Sequence, residues 1–567
     1  MAHDSHATSG FHGPKCWAVS SLVGALLGLL LSILIPVTTA RSENEPHAHD
    51  EVPLVVQTRP DGTRCLRTAA NGTVELSSSL KLDDPEDVRA IQFMYDQAGK
   101  SVEEIGEAHG GHTRAAPLWL CLPFALLLLS IAVMPFVNEG FWHRHFPDFA
   151  FLLGALVLVY CLMAYGDHGR HMMLHAGLEY YSFIALVGGL YVASGGLLID
   201  IRARGSATTN TALLALGAVL ANIVGTTGAS VLLIRPFMRM NRGRLRAIHV
   251  VFFIFIVSNC GGCLTPIGDP PLYLGYLKGV PFFWTLQHLW PMWLAMNGAL
   301  LTLYFIIDSR IPPAPAPDAG EHDPHARNSI ITGLGTLGFL TLLVAGVFID
   351  PLMKKHFGIT DVPIGATFQI IVAITAYLTA RSSIHNANQF TFAPVKEVGF
   401  LFVGIFLTMA PALEYLADHA AALGLESPTQ FYFGTGFLSG FLDNAPTYLS
   451  FLQVAFGVLH TPLMQPGIVE FVSSTYDVVH PAANAAPETQ HFNGIKLLEG
   501  ISLGAVFFGA MTYIGNGPNF MVKSIVESAR AQGSGLGVRM PSFIGYHLWA
   551  LLILFPLLVG IWLIFIR

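Results

Sequence analysis

Ser258-Asn-Cys-Gly-Gly-Cys-Leu-Thr-Pro-Ile-Gly-Asp-Pro-Pro-Leu-Tyr273 breaks an apolar run at a depth where a membrane-spanning helix would be continuous. A helix starting at 247 reaches this stretch after about four turns, ~20 Å along its axis and near the middle of a bilayer. Pro266, Pro270 and Pro271 cannot continue the hydrogen-bond ladder, so carbonyls and helix ends are freed at membrane depth. Freed backbone is tolerated there only where protein or a wet cavity satisfies it. Such a break is a candidate binding position for an ion or small solute.

The rest of the chain fits that setting. Of 567 residues, 53% are hydrophobic and 12% charged, and many apolar runs reach spanning length, so an all-α polytopic membrane protein is expected. The formal charge of −7 says little about partners, because the placement of Lys and Arg matters more than their sum. Nothing supports nucleic-acid binding. The six cysteines are scattered and do not suggest a disulfide framework.

Residues 1–40 carry an apolar run behind Lys15 that ends in Val37-Thr38-Thr39-Ala40, the pattern of a signal peptide or signal anchor. Residues 41–115 are polar and rich in His, Gly and Ser, and are expected to be a small or partly disordered extracytoplasmic segment. Spans are expected at about 116–137, 147–165 and 179–200, with Arg202 and Arg204 marking a cytoplasmic loop. The apolar stretch 207–238 has arginines at both ends and Gly225-Thr-Thr-Gly-Ala-Ser230 in its middle. Both ends then face the cytoplasm, which requires a re-entrant hairpin with its tip near Thr226–Ser230. After the opening stretch a span at 289–307 returns inside, completing a first unit, 116–307. Residues 308–328, with Pro312, Pro313, Pro315 and Pro317, form a cytoplasmic linker.

The second unit, 329–567, follows the same plan. Spans at 329–349, 363–380 and 397–415 precede a stretch at 430–457 interrupted by Leu442-Asp-Asn-Ala-Pro-Thr447, and the following loop lacks Lys and Arg. This second hairpin is expected to enter from outside. A broken helix at 495–528 and a last span at 542–566 close the unit. A shift of 247 lays Gly262–Pro271 on Gly509–Pro518, with Gly262/Gly509, Thr265/Thr512, Ile267/Ile514, Gly268/Gly515 and Pro271/Pro518 identical. Because the linker reverses the side of entry, two inverted repeats are expected, and interrupted segments at matching positions point to a transporter's site.

Asp269 and Asn516 occupy equivalent positions, and Asp443-Asn444 stands at the second hairpin tip. A carboxylate at mid-membrane costs ~2.5–3.5 kcal/mol on insertion scales, so it usually lines a cavity or pairs with an ion. Burial favours its neutral form and a nearby cation its charged form, so H⁺ and Na⁺ compete for it. A plainer role for Asp269 is capping the half-helix at Pro270. Thr226, Thr227, Ser230, Asn259, Thr265, Asn444, Thr512 and Asn516 either coordinate by side chain or only satisfy freed backbone.

Val224-Gly-Thr-Thr-Gly-Ala-Ser-Val-Leu-Leu-Ile-Arg-Pro236, Leu264-Thr-Pro-Ile-Gly-Asp-Pro-Pro271 and Leu442-Asp-Asn-Ala-Pro446 resemble the NhaD-type sodium/proton antiporters, members of the ion-transporter superfamily that also holds arsenite pumps and citrate transporters. The resemblance covers about 116–567 and implies paired hairpins and broken helices around a cation site. It implies a secondary transporter in the cell inner membrane, not an enzyme, with Na⁺ or Li⁺ and H⁺ as transported ions, no cofactor, and no metal site beyond that for Na⁺. A Na⁺-coupled citrate, dicarboxylate or oxyanion transporter is the alternative, and a homodimer is compatible with either. A third option is a receptor that uses the outer segment as its binding module.

Other motifs carry less. Cys260-x-x-Cys263 lacks a second ligand pair and is better explained by close backbone packing. Gly333-Leu-Gly-Thr-Leu-Gly338 and Gly500-Ile-Ser-Leu-Gly504 match enzyme fingerprints but lie in apolar helical runs without the required strands. His168, His171 and His175 are expected in a loop outside the membrane, as solvated side chains before metal ligands.

Overall fold

The computed structural model describes residues 14–34, stretches between 54 and 95, 116–199, 204–313, 331–359, 362–388, 390–425, 427–459, 474–480, 488–531 and 536–567. The cleavage pattern at Val37–Ala40 and most of the 308–328 linker lie outside the described residues. The protein is mostly helical, and among the described residues eight helices are long and apolar enough to cross a membrane, or nine with a pair bent by 42° at 346–349.

In the first unit, α1 (Pro14–Leu34), α2 (Cys121–Val137), α3 (Glu139–Ala164) and α4 (Gly166–Ser194) precede α5 (Ala207–Met240). By composition alone α5 counts as one span. A straight helix of that length would measure ~51 Å, yet the Gly205 N–H donates to the Met240 carbonyl at 2.8 Å. The Asn210 and Asn241 amides also bond each other reciprocally at 2.8 Å. α5 is therefore a hairpin with both ends on one side, as its flanking arginines require.

The hairpin turns at Gly225, with φ 78° and ψ 156°, a region essentially closed to side-chain-bearing residues. Gly225→Ala is expected to destabilise the protein by ~1–3 kcal/mol, read as a lower unfolding midpoint in detergent.

Next come α6 (Ala247–Ile256), the break, α7 (Pro270–Leu277) and α8 (Trp284–Asp308). The second unit runs through α9 (Gly335–Gly346), α10 (Ile364–Thr379) and α11 (Ala393–Asp418) to a hairpin of α12 (Pro428–Phe441) and α13 (Asn444–Val458). A Cβ on Gly434 would meet the Phe451 ring at 2.9 Å, so these two arms run antiparallel from a tip at 442–443. Then follow α14 (Gly494–Phe508), the second break, α15 (Gly517–Ala531) and α16 (Phe543–Ile561).

The helices sort into two groups. α1, α2, α3, α4, α9, α10 and α11 pack on one another, with Phe183 of α4 stacked on Phe402 of α11 at 4.6 Å. The hairpins, broken helices, α8 and α16 form the other group, which meets the first mainly through α4 against α5 and α11 against α13.

Two sheets fix which loops share a side. β1 (Leu54–Thr58), β2 (Arg64–Arg67) and β3 (Thr73–Glu75) join β6 (Thr475–His480) and β7 (Glu488–Asn493) in the order β3-β2-β1-β6-β7. β1 pairs with β6, Val55 opposite Val478, so part of the polar 41–115 segment is folded onto the loop ahead of α14. Its residues alternate as a strand requires: Leu54 and Val56 face a small core with Leu66 and Ile91, while Val55 faces the helical body. On the other side β4 (Leu198–Ile199) pairs with β5 (Ile331–Thr332), holding the end of α4 against the start of the second unit. The fingerprint matches at 333–338 and 500–504 run into or lie within helices.

Candidate functional site

Each unit builds its break in the same way. A Cβ on Gly268 would fall on the Gly262 carbonyl oxygen, and one on Gly515 would come within 2.6 Å of the Gly509 carbonyl oxygen, so glycine lets the chain fold back on itself at both breaks. The Thr265 hydroxyl donates to the Asn222 carbonyl at 2.7 Å, and the Thr512 hydroxyl to the Gly440 carbonyl at 2.6 Å. These matched threonines stitch each break to its own hairpin just before the tip. The Thr226 N–H adds a bond to the Gly268 carbonyl at 2.8 Å.

The two units meet at Asp269, which is 1% exposed. Its Oδ1 accepts from the Thr226 hydroxyl and from the Asn516 amide, each at 2.9 Å, and its Oδ2 accepts from the Asn444 amide at 2.7 Å. One donor comes from each hairpin tip and one from the opposite break. All three are neutral. Asp269, Asp443 and Asn516 immediately precede α7, α13 and α15, so three helix N-termini, each with partial positive charge, converge on the carboxylate.

Asp443 lies beside this centre. Its carboxylate accepts from the Ala445 N–H at 3.0 Å, capping α13. Ser230 and Ser258 share a hydrogen bond of 2.8 Å behind the Asn516 contact. Thr227 does not reach the carboxylate partners but lines a crevice with Tyr191, Pro270 and Tyr273. The crevice holds about 20 Å³ of space, enough for about one water-sized sphere.

Asp269, Thr226, Asn444, Asn516 and Asn259 are thus brought together. Asn259 touches the site through Asn516, whose amide donates to its Oδ1 at 3.2 Å. Thr265 and Thr512 satisfy backbone instead. Asn519 is a residue that the sequence did not single out: it lies three positions past Asn516, beyond the matched decapeptide, and accepts from Asn259 at 2.6 Å. It lies in the first turn of a half-helix that is largely polar and half-exposed, so nothing in the sequence marks it out.

One further expectation changes. His168, His171 and His175 stand in the first turns of α4 rather than in a loop, and His168 pairs with Glu414 at 2.8 Å. Cys260 and Cys263 are buried and free, and no cluster of three metal-ligating side chains occurs among the described residues. At Gly261 an added Cβ would meet the Ala218 Cα at 2.7 Å, so this segment packs backbone to backbone.

No curated protein matches the chain. A family model matches residues 113–566, from the first span of the bundle through the closing helix and including both hairpins and both breaks. The chain belongs to that transporter family, described as "Putative citrate transport", within the ion-transporter superfamily.

Proposed function

We propose that this chain is a secondary active transporter of the NhaD type, exchanging Na⁺ or Li⁺ for H⁺ across the cell inner membrane, with residues 41–115 outside. The observation that carries this reading is the buried Asp269 carboxylate, hydrogen-bonded by three neutral side chains. A carboxylate without a basic partner suits a hard cation or a proton, and hydroxyl, amide and carbonyl oxygens suit Na⁺.

Exchange follows from competition at one site. At alkaline cytoplasmic pH the carboxylate loses its proton and takes Na⁺; on the other side H⁺ returns and Na⁺ leaves. The two units act as inverted repeats, and the group bearing the hairpins shifts against the other group at the α4–α5 and α11–α13 contacts to alternate access.

A Na⁺-coupled citrate or dicarboxylate transporter is the second reading, favoured by the family description and by the three convergent helix N-termini. Everted vesicles carrying a ΔpH-sensitive dye separate the two. Na⁺ or Li⁺, but not K⁺, is expected to dequench the dye without citrate. Dequenching only when citrate is present, with citrate-dependent ²²Na⁺ uptake, would replace the first reading by the second.

A further inference from the structure

An asparagine's amide has a polarity, and here that polarity can be traced through three residues from main-chain carbonyls to the carboxylate. Asn519 donates its Nδ2 to the carbonyls of Gly509 and Thr512, at 2.8 and 2.9 Å. A carbonyl only accepts, so the Asn519 Oδ1 must face the other way, towards Asn259. Asn259 therefore presents its Nδ2, which donates to that Oδ1 at 2.6 Å and to the Ile254 carbonyl at 2.8 Å. Its own Oδ1 is left facing Asn516. Asn516 then presents Nδ2, one hydrogen to Asp269 at 2.9 Å and the other shared between the Asn259 Oδ1 and the Ser258 carbonyl, both at 3.2 Å.

We propose that Asn519 and Asn259 are positioning residues that fix the Asn516 amide with its nitrogen against Asp269, so that Asn516 acts as a donor holding the carboxylate and not as an oxygen ligand. The proposal rests on the reading of Asp269 as the cation and proton carboxylate. The relay crosses between units, from α15 to the first break and back to the second: a flip at Asn519 alone would set its donor against that of Asn259, and a flip passed along the relay would turn amide oxygens onto the Gly509, Thr512 and Ile254 carbonyls and onto Asp269. Asn259 and Asn519 have no counterparts in the repeat, where Val506 and Leu272 stand 247 positions away. The relay belongs to this asymmetric site and not to the shared scaffold of the breaks.

The test is Na⁺/H⁺ exchange in everted vesicles, with half-saturating Na⁺ and maximal rate measured separately. Asn259→Ala leaves the Asn519 bonds to Gly509 and Thr512 in place and is expected to raise half-saturating Na⁺ about tenfold, the usual scale for outer-shell partners of a bound ion, with the maximal rate within about twofold. Asn519→Ala is expected to do the same, and the double variant is expected to be no worse than Asn259→Ala, because both remove one relay. Half-saturation unchanged in a folded Asn259→Ala protein, or effects that add in the double variant, would overturn the relay. If Asp269→Asn exchanges Na⁺ normally, the reading of Asp269 as the cation and proton carboxylate fails instead, so the two failures are told apart.

Discussion

Asp269→Asn is expected to abolish Na⁺-induced dequenching in everted vesicles while the protein still elutes as a folded species in detergent. The substitution keeps the shape of the side chain and removes the charge. A unit charge ~4 Å from a cation contributes about 4 kcal/mol at an effective dielectric of about 20, which is about a thousandfold in affinity. The new amide nitrogen also faces donors, since Thr226, Asn444 and Asn516 all donate to the native carboxylate. Asp443→Asn is expected to lose less. An asparagine can still accept from the Ala445 N–H, so what disappears is only a charge beside the centre. Exchange at the native rate in folded Asp269→Asn would remove Asp269 from the mechanism, and a larger loss in Asp443→Asn would move the ion to the second hairpin tip.

This ordering of the two carboxylates was not legible in the sequence. In the sequence Asp-Asn at a re-entrant tip has few uses besides binding, whereas Asp before Pro-Pro also reads as a cap, which puts Asp443 ahead of Asp269; in the fold it is Asp443 that caps and Asp269 that gathers three donors. The hairpins were legible, because arginines at both ends of 207–238 leave one topology that keeps them on one side. The breaks were legible from proline and glycine, and their partnership from the 247-residue shift. Thr265 and Thr512 were ambiguous for a chemical reason: the hydroxyl that would coordinate an ion is the one that satisfies a freed carbonyl. The five-stranded sheet was hidden because Val55 and Val478 lie 423 positions apart and strand register leaves no local trace at that distance. Asn519 was hidden likewise, its partner Asn259 lying 260 positions earlier.

The second large effect is expected at the base of the first hairpin, where Asp308→Ala should destabilise the protein by ~3–5 kcal/mol, the scale for stranding a buried charge. The Arg244 guanidinium donates to Asp308 Oδ1 at 2.6 Å and Oδ2 at 3.3 Å, with both side chains buried. Asn210 donates to Oδ2 at 2.9 Å, and His249 Nε2 lies 2.8 Å from Oδ1. His249 Nδ1 accepts from the Arg246 N–H at 2.8 Å, so the ring hydrogen sits on Nε2 and donates to Asp308. Arg244 also donates to the carbonyls of Ile311 and Pro312. One carboxylate therefore joins an arm of the hairpin, the start of α6, the end of α8 and the first linker residues. Replacing both charges, as Arg244→Met with Asp308→Leu, strands no charge and leaves only neutral groups without a partner, the donors of Asn210 and His249 and the carbonyls that Arg244 held at Ile311 and Pro312, an exchange that is often neutral where breaking one partner alone is not, and Asn210 keeps its bond to Asn241. The double variant should therefore unfold at a higher denaturant concentration than Asp308→Ala alone. If Asp308→Ala instead unfolds with the wild type, the cluster does not clamp the hairpin. Thr226, at the far end of the arm that starts near Asn210, would then have to be held against Asp269 by the Gly268 carbonyl and the α4 contact alone.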